Sequence, residues 1–184
     1  MWWGSGLERV LNIKLKEYKE YIAAHSRSVL VVFFFLPMII SKIAILIGVT
    51  NIGFVSPWEI SYRTAFGSAE GYTLTMVMYW VMSPLAFLWA YSQENYKGMS
   101  FKKAIITIPM CWLILIGIGV VVFKGVSLSS LEHPVVSSER FLLFGKWHVG
   151  FCLIYGGIVF SFFFTIYMVL YLTLRLILKI LKWE

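Results

Sequence analysis

Four stretches of this chain are apolar for about the length of a membrane crossing: residues 29–49, 73–91, 104–123 and 149–174. A helix needs about 20 such residues to cross the hydrocarbon core of a bilayer. Lys42 is the one charge inside any of them. Lipid offers no partner to an unpaired amide, so segments of this kind must be helical, and the ten-residue alternating strands of a membrane barrel are not visible. Composition agrees, at 60% apolar and only 14% charged, where soluble domains carry roughly a quarter. With 184 residues the chain has room for one such bundle. The fold expected is all-α: a polytopic membrane protein whose four transmembrane helices occupy 29–184.

Residues 1–28 read differently. Leu7, Val10, Leu11, Lys14, Leu15 and Tyr18 recur at helical spacing, with Arg9, Lys16, Glu17, Lys19 and Glu20 mostly on other faces. That pattern predicts an amphipathic helix lying along a membrane surface, with Trp2 and Trp3 suited to the headgroup region. The charged segment is too long for a signal-peptide leader, so the first apolar stretch reads as a retained span. From Val149 nothing breaks the helix before about residue 182. Its last turns carry Arg175, Lys179 and Lys182 on one face, a basic face placed to anchor on anionic lipid.

Orientation follows from Lys and Arg. Arg9, Lys14, Lys16, Lys19 and Arg27 precede the first span; Lys97, Lys102 and Lys103 lie between the second and third; Arg175, Lys179 and Lys182 end the chain. The alternate loops hold only Arg63, Lys124, Arg140 and Lys146. The positive-inside rule then places both termini in the cytoplasm and the loops 50–72 and 124–148 outside. The net charge of +7 is accounted for by topology, and nucleic acid is not called for as a partner.

Catalytic and cofactor chemistry finds little support. Every one of the nine acidic residues is Glu, which removes Asp-based metal loops and dyads. His25 falls at one side of the expected bundle and His133 and His148 at the other, so no pair suits a membrane haem. Cys111 and Cys152 sit at different depths and read as small packing residues rather than a disulfide. The outer loops contain Glu59, Glu70, Glu132, Glu139, His133 and His148, but no H-E-x-x-H, G-x-S-x-G or C-x-x-C spacing. No metal, no cofactor and no enzyme is expected. Lys42 is predicted to snorkel outward to headgroups or to Glu59 or Glu70, with a carbonyl contact between helices as the alternative. Pro37, Pro84 and Pro109 should kink their spans. Ala86 with Ala90, and Gly157 with Ser161, make small-residue pairs, and Ser83 and Thr165 could add bonds between helices or between subunits.

What the outer loops do contain is a mixture of aromatic and Arg side chains, the types that dominate protein contact surfaces. Trp58, Tyr62, Arg63 and Phe66 in the first loop, and Glu132, His133, Arg140 and Phe141 in the second, are the candidate partner-binding residues. Tyr72 and Trp147, beside the spans, read as an aromatic belt.

In its four spans, cytoplasmic termini, modest outer loops and lack of catalytic motifs, the chain resembles plasmid entry-exclusion proteins of the TraS type. It is similar in the same respects to immunity proteins against pore-forming colicins and to the membrane subunit of Kiwa-type phage defence. The first resemblance implies a protein of the bacterial inner membrane of a recipient cell that blocks conjugation by binding a donor mating-pair protein. The others imply a toxin or a cytoplasmic effector as partner, and a subunit of a larger membrane complex is a further alternative.

Overall fold

The computed structural model describes residues 4–49, 57–66, 72–93, 101–124 and 143–181. Every regular element among them is helical: α1 (Gly4–Ala24), α2 (Ser26–Leu46), α3 (Pro57–Phe66), α4 (Tyr72–Val81), α5 (Ser83–Ser92), α6 (Phe101–Lys124) and α7 (His148–Ile180), with one further helical turn at 143–146. Four segments are long and apolar enough to cross a membrane: Ser26–Leu46, Tyr72–Ser92, Lys103–Phe123 and His148–Leu178. Beside an aromatic core, Ser41, Thr75, Ser83 and Thr165 are buried, while Phe35, Ile39, Ile106, Leu113 and Ile116 are exposed. An apolar exposed surface of this kind is compatible with contact to lipid, and the bundle interior shelters the hydroxyls.

α7, 33 residues long, is the hub. It packs on α2, α4, α5 and α6, whereas α6 packs chiefly on α7, more lightly on α3, and sets its Phe123 ring 5.8 Å from that of Trp80 of α4. The second span is divided at Met82. Pro84 has no amide to give the carbonyl of Trp80, and its ring disfavours helical geometry at Ser83, so α4 ends and α5 restarts. Pro37 and Pro109 lie within continuous helices.

α1 runs almost directly into α2, with His25 alone between them. The break therefore falls three residues before the expected boundary at 28. α1 rests on α5 and α2: Ile22 is buried, and Lys19 Nζ stands 5.3 Å above the Tyr91 ring. Tyr18, expected on the apolar face, is exposed to the extent of 55%, so the bundle covers only part of that face.

Aromatic rings fill the core. Tyr72 lies flat on Phe151, centroids 3.7 Å apart, and Tyr155 meets Tyr62 edge-on at 5.2 Å. Each of the four fully buried tyrosines finds a polar partner. Tyr62 donates to the Val121 carbonyl at 2.7 Å, Tyr72 to that of Gly145 at 2.8 Å, and Tyr79 to that of Phe34 at 3.0 Å. Tyr155 accepts from the indole of Trp80 at 2.9 Å. Tyr72 is thus a core residue, contrary to the belt expected of it. Its hydroxyl reaches a main-chain acceptor inside the bundle instead of headgroups. Trp147, 75% exposed, keeps a position suited to such a belt.

Two small-residue expectations are also corrected. Gly157 has nothing within 4 Å of where a Cβ would stand, so it does not serve close approach of helices, whereas its neighbour Gly156 does, against Tyr79. Thr165 donates to the Ser161 carbonyl of its own helix at 2.7 Å, the usual back-bonding of a helical Thr, and not to another helix.

Candidate functional site

The first loop contains a helix. Ser56-Pro57-Trp58-Glu59 is a capping signature, a Ser followed three residues later by Glu with Pro at the first helical position. α3 follows from Pro57 to Phe66. Glu59, Tyr62 and Phe66 are buried, at spacings of three and four, and form its inner face. Tyr62 ties α3 to α6, because the Val121 carbonyl it binds is among the last four of that helix and has no intrahelical amide. Burial raises the Tyr62 hydroxyl well above its ordinary pKa, which keeps it a donor. Phe66 stacks parallel to Tyr62 at 6.3 Å.

The outer face of α3 carries Ile60, Arg63 and Thr64, all exposed. Arg63 is held in place by Glu59: Nη2 to Oε1 is 2.7 Å, with 44% of the Arg63 side chain exposed and 1% of the Glu59 side chain. The second carboxylate oxygen, Oε2, is buried with no hydrogen-bond partner among the described residues. So the carboxylate expected to meet Lys42 serves Arg63 instead. Of the candidate partner-binding residues, Tyr62 and Phe66 are inside the fold and Arg63 is outside. Trp58 falls on α3 with its side chain outside the described residues, and Glu132, His133, Arg140 and Phe141 of the second loop lie wholly outside them.

A second group, at the same end of the bundle, was not foreseen as one. Ser41 of α2 and His148 of α7 lie 2.9 Å apart, Oγ to Nε2. Ser41 also donates to the Met38 carbonyl at 3.2 Å. Cys152, one turn along α7, places Sγ 3.7 Å from His148 Nε2 and 4.0 Å from Nδ1. Thr75 and Tyr79 of α4 lie within hydrogen-bonding reach of the same thiol. Thiol, imidazole and hydroxyl together suggest a nucleophilic site, but Cys152 is fully buried and Tyr79 is committed to Phe34. The cluster joins three helices by polar contacts. Sequence signals for it were the i, i+4 spacing of His148 and Cys152 and the position of Ser41 beside Lys42. Among the described residues no group of three or more His, Cys, Asp or Glu could hold a metal.

Lys42 is one turn from the end of α2 and exposed. Because α2 spans 26–46 rather than 29–49, Lys42 lies closer to the end of its helix than the sequence suggested, about 6 Å from it. In the basic tail, Arg175 sits 5.0 Å above the Tyr171 ring. Lys179 falls on α7 with its side chain outside the described residues, and Lys182 lies beyond them.

These features define an all-helical chain with four helices able to cross a membrane and a fixed, partly exposed helix at one end. Comparison with protein-family models, with curated proteins and with solved structures finds no match to this chain.

Proposed function

We propose that this chain is a non-enzymatic recognition protein of the bacterial inner membrane, multi-pass with both termini cytoplasmic, and that it acts in conjugative entry exclusion by binding a donor mating-pair protein. The observation that carries this reading is α3. Its inner face is locked by Glu59, Tyr62 and Phe66, so Ile60, Arg63 and Thr64 are displayed without further ordering cost. An exposed Ile beside a fixed Arg is the kind of pair that concentrates binding energy. The Lys and Arg distribution supports placing α3 outside the cell.

The test is a mating assay with recipients expressing the chain. Wild-type recipients should block transfer from the matching donor. Ile60→Asp combined with Thr64→Arg, both on the exposed face and clear of the Glu59 pair, should abolish the block at an unchanged membrane level. An undiminished block with the double variant would remove α3 as the reader.

A second reading, immunity to a pore-forming toxin, is favoured by a cavity of about 490 Å³ on the α6–α7 seam, where Gly117, Gly157 and Ser161 leave room for a foreign helix. It requires instead that Gly157→Leu abolish protection against the toxin while α3 substitutions do nothing.

A further inference from the structure

A groove opens between α2 and α7 at the end of the bundle that carries α3. Its volume is about 400 Å³, and its walls include Met38, Ile39 and Val149 with Lys42 and Trp147 at hand. A volume of that order suits a small ligand or part of a larger one. The lining is almost wholly apolar apart from Lys42 and His148. His148 is engaged by Ser41, which leaves the ammonium as the free polar group. Lys42 is the one charge within the four apolar stretches, and no carboxylate among the described residues pairs with it. An exposed ammonium one turn from the end of an apolar helix is placed to meet an anion at the interface.

From this charge complementarity and the apolar walls we infer that the groove binds an anionic phospholipid, its phosphate on Lys42 and the start of an acyl chain along Met38, Ile39 and Val149. Ile39 and Val149 are half-exposed on the face that lipid would bathe, and Trp147 is 75% exposed beside the groove. An indole there sits at headgroup level, the same depth at which a lipid phosphate would meet Lys42 one turn from the end of α2. A soluble anion would leave the apolar walls uncovered, and a zwitterionic lipid would bring its own cation to the site. The inference rests on the reading that these helices cross a bilayer. It does not depend on what α3 recognises.

Native mass spectrometry of the purified full chain, titrated with phosphatidylglycerol or phosphatidylcholine, tests it. One phosphatidylglycerol should be retained at least tenfold more tightly than phosphatidylcholine. Lys42→Gln should remove that preference, and Lys42→Arg should keep it. Ile39→Trp, which fills the groove while leaving Lys42 in place, should weaken retention of the anionic lipid. Lys103→Gln, at the opposite end, should change nothing. Equal retention of the two lipids, or a preference that survives Lys42→Gln, would overturn the proposal. Displacement of the lipid by glycerol phosphate alone would do the same, since the apolar walls would then contribute nothing. A chain that fails to enter phospholipid bilayers at all would instead overturn the membrane reading beneath it.

Discussion

Tyr79 donates its hydroxyl proton to the carbonyl of Phe34 at 3.0 Å, three residues before Pro37. Pro37 deprives the Phe33 carbonyl of its amide donor and loosens the turn around it. A phenol from α4 therefore braces α2 where that helix is weakest. Tyr79→Phe should cost about 1 kcal/mol. Reversible unfolding in detergent mixtures would measure it. The cost should shrink when Pro37→Ala repairs the turn, and an unchanged cost in that background would mean the bond is unrelated to the proline.

Adjacent glycines of α7 should respond oppositely to alanine. A Cβ on Gly156 would stand 2.6 Å from Cε1 of Tyr79, while one on Gly157 would meet nothing within 4 Å. Gly156→Ala should destabilise by about 1–3 kcal/mol through overpacking. Gly157→Ala should be neutral or stabilise by up to about 1 kcal/mol through helix propensity. The same unfolding measurement compares them.

Tyr62 should make stability depend on alkaline pH. Its folded pKa is raised by burial, so the neutral phenol favours the folded state at every pH below its unfolded value of about 10. As pH rises beyond that, the unfolded chain loses its proton and the folded chain does not, so stability falls. Tyr62→Phe should lower stability near neutrality by about 1 kcal/mol through loss of the Val121 bond. It should also flatten the decline above pH 10, which unfolding at pH 8 and at pH 10.5 would reveal.

Arg63→Ala should be more harmful than Glu59→Gln. The first leaves a buried carboxylate with an unpaired charge, and the second removes that charge while keeping the shape. Because Arg63 is partly solvated, the difference should be about 1–2 kcal/mol, well below that of a fully buried pair. The double variant Glu59→Gln with Arg63→Ala should cost less than the sum of the two, and strict additivity would show that the pair is not coupled.

Thiol reagents should separate the cysteines. Both are free, Cys111 partly accessible and Cys152 buried. A membrane-permeable maleimide should label Cys111 first, and intact-mass analysis should find Cys152 unmodified until the bundle is unfolded.

The spans were legible because a continuous apolar run of about 20 residues satisfies its backbone in lipid only as a helix, and length and apolarity are read directly from the residues. α3 was not read, although Glu59, Tyr62 and Phe66 follow a helical period and Ser56 to Glu59 carry a capping signature. Between two spans so short a pattern passes for a loop. Tyr62 and Tyr72 read as surface residues because a phenol suits both an interface and a core. Which one it joins depends on a carbonyl from a distant helix, and the sequence around the tyrosine does not contain it. The Ser41–His148–Cys152 cluster was hidden for the same reason, since 107 positions separate its two helices at the hydrogen bond.

The placement of α6 bears on how the chain is made. α2 and α6 have mean hydropathies of 2.7 and 2.6, against 1.4 for the divided second span. The second span emerges after α2, which it packs against, and Tyr79 finds the Phe34 carbonyl there, whereas the partners of Tyr72 lie on the last segment. Inserted in a bilayer, α6 would precede its principal neighbour α7 during synthesis and would have to wait in lipid for it. High apolarity would allow that wait, and α7, which packs on all three earlier spans, would then dock last.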